Sequence, residues 1–280
     1  MTEPLRYLSL FSGVGGFDLG FDRAGMTCAG QVEIDDYCRR VLAKHWPDVL
    51  RMNDVREVQG DEFGAVDVIC GGFPCQPHSL AGKRRGAADD RNLWPEYRRL
   101  VAVIRPAWVV GENVPGIRTT ILDAVLSDLD DLEYTTAAIS IPACALDAPH
   151  RRERIFIVAY TERSKRRAGE SVGDERDGQI TGRPQATGWI GASGQNGGAV
   201  SLAYTDAIRW DGRAGEFGPG WGREPENGGR WQPEPGVGRV ANGVPHRVDR
   251  LRALGNAIVP QVAEWLGRRI IAANNGEYHD

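Results

Sequence analysis

The sequence predicts an α/β fold, with a mostly parallel sheet covered by helices on both faces and a small loop-rich unit inserted late in the chain. Three observations predict it. Short apolar runs alternate with helical stretches through the first 160 residues, which is the pattern of strand–helix–strand units. Glycines or acids stand where several of those runs end, the places where such sheets bind ligands. The composition breaks at Thr161 and recovers near Arg250.

The elements follow in order. Leu5 to Phe11 reads as a strand, then a glycine turn and a helix. Thr27 to Glu33 reads as the next strand and Tyr37 to His45 as a helix. Val66 to Cys70 is a short buried strand, and Trp94 to Ile104 a helix with arginine on one face. Ala107 to Glu112 is a strand, Thr120 to Leu129 a helix, and Arg154 to Tyr160 a last apolar strand. Residues 1–160 thus form the first domain.

Residues 161–250 hold 19 of the 36 glycines and show neither helical nor strand period. Trp189, Trp210, Trp221 and Trp231 also lie there. Disordered segments avoid aromatics, so 161–249 is expected to be a small domain with a thin core. In 250–280 regular structure returns. Pro260 opens a helix at its first turn, and Val262, Leu266 and Ile270 keep helical spacing. This segment is expected to close back onto the first domain.

Bulk properties narrow the class. The chain has 280 residues and a net charge of −4, so any contact with nucleic acid must come from local patches. Lysine occurs only at Lys44, Lys83 and Lys165, and arginine supplies the remaining positive charge. Five cysteines without a CxxC pair argue against a disulfide framework and against zinc; no metal is expected. Without a signal peptide or a membrane-length apolar run, a cytoplasmic setting is expected.

Four stretches carry chemistry. Leu10-Phe11-Ser12-Gly13-Val14-Gly15-Gly16-Phe17 joins a strand to a helix, where glycine lets backbone approach a ligand closely. A dinucleotide fingerprint needs glycine at position 18, and Asp18 stands there, so the loop is nucleotide-like without being an NAD loop. Twenty residues after Gly13, Glu33 ends the next strand, where a carboxylate accepts hydrogen bonds from ribose hydroxyls. Phe73-Pro74-Cys75-Gln76-Pro77 follows a strand, and its prolines pin the backbone around a thiol placed as a nucleophile. Cys28, Cys38, Cys70 and Cys144 lack that context and read as ordinary packing residues. Glu112-Asn113-Val114 sets an acid at another strand end, fit for proton transfer. Arg152 and Arg154 alternate onto one face as they enter the last strand.

Taken together, these residues resemble the cytosine-5 DNA methyltransferase family. The loop at 10–17 resembles its cofactor motif, Pro74-Cys75-Gln76 its catalytic motif, and Glu112-Asn113-Val114 its ENV motif. Arg152-Glu153-Arg154 resembles its arginine motif and Gly255-Asn256-Ala257 its C-terminal motif. The resemblance covers residues 5–160 and 250–270. His150 stands where the family commonly has glutamine.

The resemblance implies a Rossmann-like methyltransferase domain that uses S-adenosylmethionine. It implies that the Cys75 thiolate attacks carbon 6 of a flipped-out cytosine while Glu112 serves ring nitrogen 3. Arg152 and Arg154 then bind the base and order the pocket, and carbon 5 takes the methyl group. Phe11 would pack on adenine, Gly13 and Gly15 meet the methionine end, Glu33 the ribose, Asp54 the adenine amine, and Asn256 support the pocket. Double-stranded DNA is the expected partner, contacted by Gln76, Ser79, Lys83, Arg84 and Arg85 in a basic loop after the nucleophile. Residues 161–249 would be the target-recognition domain. A monomer with no obligate protein partner is expected, and the sequence leaves a cognate restriction endonuclease open as a companion. A transfer-RNA cytosine methyltransferase on the same motifs is the nearest alternative; a silent DNA-binding protein and an NAD oxidoreductase are more distant ones.

Overall fold

Seven strands form one sheet in the order β3-β2-β1-β4-β5-β7-β6. The computed structural model describes residues 3–74, 92–146, 148, 150–161 and 247–277. The strands are β1 (Arg6–Leu10), β2 (Thr27–Val32), β3 (Arg51–Met52), β4 (Val68–Gly72), β5 (Trp108–Asn113), β6 (Thr135–Pro142) and β7 (Glu153–Tyr160). Six helices are described: α1 (Gly16–Ala24), α2 (Asp36–His45), α3 (Trp94–Ile104), α4 (Leu122–Asp131), α5 (Arg247–Asn256) and α6 (Pro260–Asn274). All strand pairs from β3 to β5 are parallel, whereas β7 runs antiparallel to both β5 and β6. The sheet is Rossmann-like and mostly parallel, as the sequence predicts.

The central strands are mostly apolar because both of their faces are buried. Alternation sends successive side chains to opposite layers. Leu8, Leu10, Ile69, Val109 and Ile157 meet Tyr97, Leu100 and Val101 of α3 and Val125 and Leu129 of α4. Tyr7, Val68, Cys70, Val110, Phe156 and Val158 meet Phe17 and Phe21 of α1 and Val262, Leu266 and Ile270 of α6. The predicted helical spacing of 262, 266 and 270 is therefore the buried stripe of α6, and the C-terminal segment does return to the first domain.

Small residues let α1 and α6 approach closely. A Cβ at Gly20 would lie 2.4 Å from that of Ala263, and one at Gly267 would lie 2.8 Å from that of Ala24. Local signals set the helix starts. The Asp35 side chain accepts from Cys38 N at the start of α2, and prolines occupy the first turns of α3 and α6.

Three elements depart from the sequence reading. β6 and β3 were not expected, and α5 begins at Arg247, inside the stretch read as without period, before running on into the segment expected to be regular. β6 is rich in threonine and alanine, exposed at Thr135, half-buried over the next four residues, and pairs only with β7 among the described residues. Its apolar signal is weak because an edge strand buries little.

Candidate active site

The strand ends of β1, β2, β4 and β5 open on one cleft of about 280 Å³. Ligands bind at this edge in open α/β sheets because the loops there diverge and leave backbone groups exposed. Phe11, Gly13, Glu33, Asp54, Asn256 and Glu112 all line it. The fold thus gathers, from positions spread over the chain, five of the six expected cofactor residues and one of the expected catalytic ones.

The first wall is built by the loop after β1. Phe11, Gly13 and Gly15 all take positive φ, at 51°, 57° and 86°. A Cβ at Gly13 would meet nothing nearer than 4.0 Å, so at this residue the loop offers bare backbone at the cleft. Gly15 has a different role. It caps α1 in a left-handed conformation, and a Cβ there would fall 2.5 Å from the Trp46 ring. It is a packing residue behind the cleft and does not line it.

Glu33 ties two loops together. Its carboxylate accepts from Gly13 N at 2.7 Å and from Asp35 N at 2.8 Å. Each oxygen keeps a further lone pair for a ligand hydroxyl. Asp54 starts a short 3₁₀ turn and pairs with Arg56 Nη2 at 2.7 Å. That guanidinium holds its carboxyl below the ordinary carboxylate range. Ile34, directly after Glu33, is 63% exposed and also lines the cleft. An aliphatic side chain left bare beside the strand-end acid is a cleft-lining residue the sequence reading missed. Its only sequence signal is its place after the strand-end acid.

The second wall holds Glu112, at the end of β5. Its carboxylate accepts from Arg154 Nε at 2.9 Å. Burial pushes its acid up to about 7, against the pull of Arg154 and, more weakly, Arg152. Gly72, at the end of β4, makes room for this group, since a Cβ there would lie 2.7 Å from Glu112 Oε2. The neighbouring Asn113 is buried, and its side-chain amide donates to Phe73 O at 2.9 Å. Phe73 is further fixed by Trp94 and Tyr97, with ring centroids 5.1 and 5.8 Å away. The backbone two residues before Cys75 is thereby locked to the strand that carries Glu112.

Cys75, Gln76, Ser79, Lys83, Arg84 and Arg85 lie outside the described residues, as does 162–246. The chain leaves at Pro74 and returns at Leu93 with the two side by side, Leu93 N donating to Pro74 O at 3.4 Å. Arg152 and Arg154 part company. Arg154 turns to Glu112, whereas Arg152, at a φ of 24°, donates from Nη2 to Gly255 O and Ala257 O, both at 2.7 Å.

The arrangement can bind a ligand that combines a flat ring with hydroxyls, and can offer it a half-protonated carboxylic acid at neutral pH. No helix among the described residues is long and apolar enough to cross a membrane.

Comparison with known proteins agrees with this geometry. A family model described as C-5 cytosine-specific DNA methylase matches residues 5–182. The Type II methylase M.HgiEI of Herpetosiphon aurantiacus is 33% identical over 169 residues, 58% of this chain and 38% of that protein. The Type II methyltransferase M.FnuDI of Fusobacterium nucleatum is 30% identical over 199 residues, 64% of this chain and 58% of that protein. The matched stretch thus spans roughly two to three fifths of these relatives' length. A crystal structure of a Spodoptera frugiperda DNMT2 mutant shares the fold at a TM-score of 0.50 and 21% identity, covering 66% of this chain and 57% of that one.

Proposed function

The chain belongs to the C-5 cytosine-specific DNA methylase family, and from that premise we propose that it methylates carbon 5 of cytosine in double-stranded DNA with S-adenosylmethionine as donor. The observation that carries this reading is the place of Glu112, on the wall of the same cleft that Phe11, Gly13 and Glu33 line. A cofactor site and a buried acid therefore share one space.

The cleft fits the donor. Phe11 and Ile34 offer apolar faces to an adenine ring, and the free lone pairs of Glu33 suit ribose hydroxyls. Bound there, S-adenosylmethionine supplies an electrophilic methyl group.

The protein's own residues make the carbon reactive. A cytosine inside a duplex must first be flipped out. The Cys75 thiolate forms a bond to carbon 6, and protonated Glu112 donates at ring nitrogen 3, where the displaced electron pair accumulates. Carbon 5 becomes nucleophilic. Once carbon 5 carries the methyl group, loss of the carbon-5 proton, departure of the Cys75 thiolate and return of the nitrogen-3 proton to Glu112 restore the aromatic ring. Arg154, paired with Glu112, would be the arginine that touches the base.

We assign target recognition to 161–249. Its position between the catalytic motifs and the returning segment supports this, as does its mix of glycines and tryptophans. Gln76, Ser79, Lys83, Arg84 and Arg85 would contact DNA. The protein would act as a monomer in the cytoplasm, where a reducing setting suits free Cys28, Cys38, Cys70 and Cys144, and alongside a cognate endonuclease.

The test is covalent trapping on duplex DNA carrying 5-fluorocytosine, because fluorine does not leave carbon 5 as a proton does. A denaturation-resistant complex with the wild type and none with Cys75→Ser is the expected result. An adduct of equal yield with the serine variant overturns the assignment of Cys75, and trapping on transfer RNA alone moves the substrate to RNA.

A further inference from the structure

We propose that Arg152 is a positioning residue that clamps the returning C-terminal segment in place and so builds one wall of the cofactor cleft. Both hydrogens of its Nη2 are committed, to Gly255 O and Ala257 O at 2.7 Å each, across 103 and 105 residues of sequence. These carbonyls flank Asn256, the last residue of α5. Carbonyls at a helix C-terminus lack intrahelical partners and carry partial negative charge, which suits a guanidinium.

What the clamp holds is part of the site. Ala253, Asn256, Ala257 and Ile258 line the same cleft as Phe11 and Glu33. Ile258 also sits against the other side of the molecule, since a Cβ at Gly16 would lie 2.5 Å from its carbonyl oxygen. The segment is thus wedged between α1 and Arg152. Glu112, Arg152, Arg154 and Ile258 are also among the residues that line a small open pocket of about 10 Å³. Arg152 is therefore the joint between the base-activating carboxyl and the wall that carries Asn256. The tie also fixes the chain where it comes back from 162–246.

The inference rests on the reading that this cleft holds S-adenosylmethionine. Losing the clamp should loosen cofactor binding more than it slows base activation. Two measurements separate these effects. Calorimetric titration of S-adenosylhomocysteine reads the cleft alone. Release of tritium from DNA containing cytosine labelled at carbon 5, without cofactor, reads base activation alone. In that exchange Cys75 adds to carbon 6, a solvent proton adds at carbon 5, tritium leaves, and Cys75 departs.

Arg152→Ala is expected to weaken S-adenosylhomocysteine binding by about tenfold or more, with a smaller fractional loss of exchange. Asn256→Ala should weaken the same binding, and the double variant should fall short of the sum of the two, because both act through one wall. Unchanged affinity in Arg152→Ala, together with exchange as low as in Cys75→Ser, would assign Arg152 to the base and overturn the proposal. If Arg152→Ala does not fold, Arg152→Lys decides. An ammonium meets the two carbonyls less well than the planar guanidinium, so affinity equal to wild type contradicts the clamp. A wild type that neither binds S-adenosylhomocysteine nor exchanges tritium removes the methylase reading itself, and this inference with it.

Discussion

Glu112 and Arg154 form an ion pair of 2.9 Å, yet the Glu112 acid is pushed up to about 7. Burial between β4, β5 and β7 costs the carboxylate more than two arginines return. The protein therefore holds at neutral pH an acid that still has a proton to give, as the proposed donation to ring nitrogen 3 requires.

That proton sets a pH dependence. With the acid raised to about 7, the protonated form fades as pH climbs above that value. The single-turnover methylation rate should fall on the same alkaline limb. Glu112→Gln should lose the limb and drop the rate by ~10²–10⁴-fold. An unaltered alkaline limb in the glutamine variant would show that another group controls it.

Gly72 should be as sensitive as a catalytic position, although it has no side chain. Gly72→Ala places a Cβ 2.7 Å from Glu112 Oε2, so the carboxyl has to move. Single-turnover rates should fall by about tenfold or more with little change in the melting temperature. A variant that turns over like the wild type would mean that the carboxyl position is not critical.

Glu33 joins the β1 and β2 loops through Gly13 N and Asp35 N. Glu33→Gln keeps one acceptor oxygen and replaces the other with a donor that faces an N–H. S-adenosylhomocysteine affinity should fall by about tenfold or more, while the carbon-5 tritium exchange persists. Calorimetry showing equal affinity would exclude Glu33 from the cofactor site.

Asp18 is a stability group. It is fully buried and accepts from Ser9 Oγ at 2.9 Å and Gln31 Nε2 at 2.8 Å. Burial raises its acid to about 6 from 3.8. Folding thus favours the protonated form: the stability it gives is full below about 3.8 and is lost as pH rises through about 6. The change is on the order of 3 kcal/mol. Asp18→Asn should flatten the melting temperature across that window, whereas Asp18→Ala should destabilise at every pH by stranding Gln31. An equal pH slope in wild type and Asp18→Asn would refute this.

Much of this was legible in the sequence for physical reasons. β1, β4, β5 and most of β7 are buried on both faces, so they print as apolar runs. Glu33 and Glu112 stand out because a charged residue closing such a run needs a reason. β3 is two residues long, and β6 buries too little to print a pattern. α5 ends in Leu254, Gly255 and Asn256, all exposed, so no apolar stripe betrays a helix. Gly15 reads as a ligand-loop glycine, but it answers to Trp46, thirty-one positions away in sequence. Arg152 and Arg154 look equivalent on an alternating strand. Only the fold shows that one faces Glu112 and the other a segment beyond residue 250.

The central claim is that this chain makes 5-methylcytosine in DNA. The most direct measurement is nucleoside mass spectrometry of duplex DNA incubated with the purified protein and S-adenosylmethionine. The account predicts 5-methyl-2′-deoxycytidine with the wild type and none above background with Cys75→Ser. Methylation at another atom of cytosine or adenine, or 5-methyl-2′-deoxycytidine at wild-type yield from the serine variant, would contradict it.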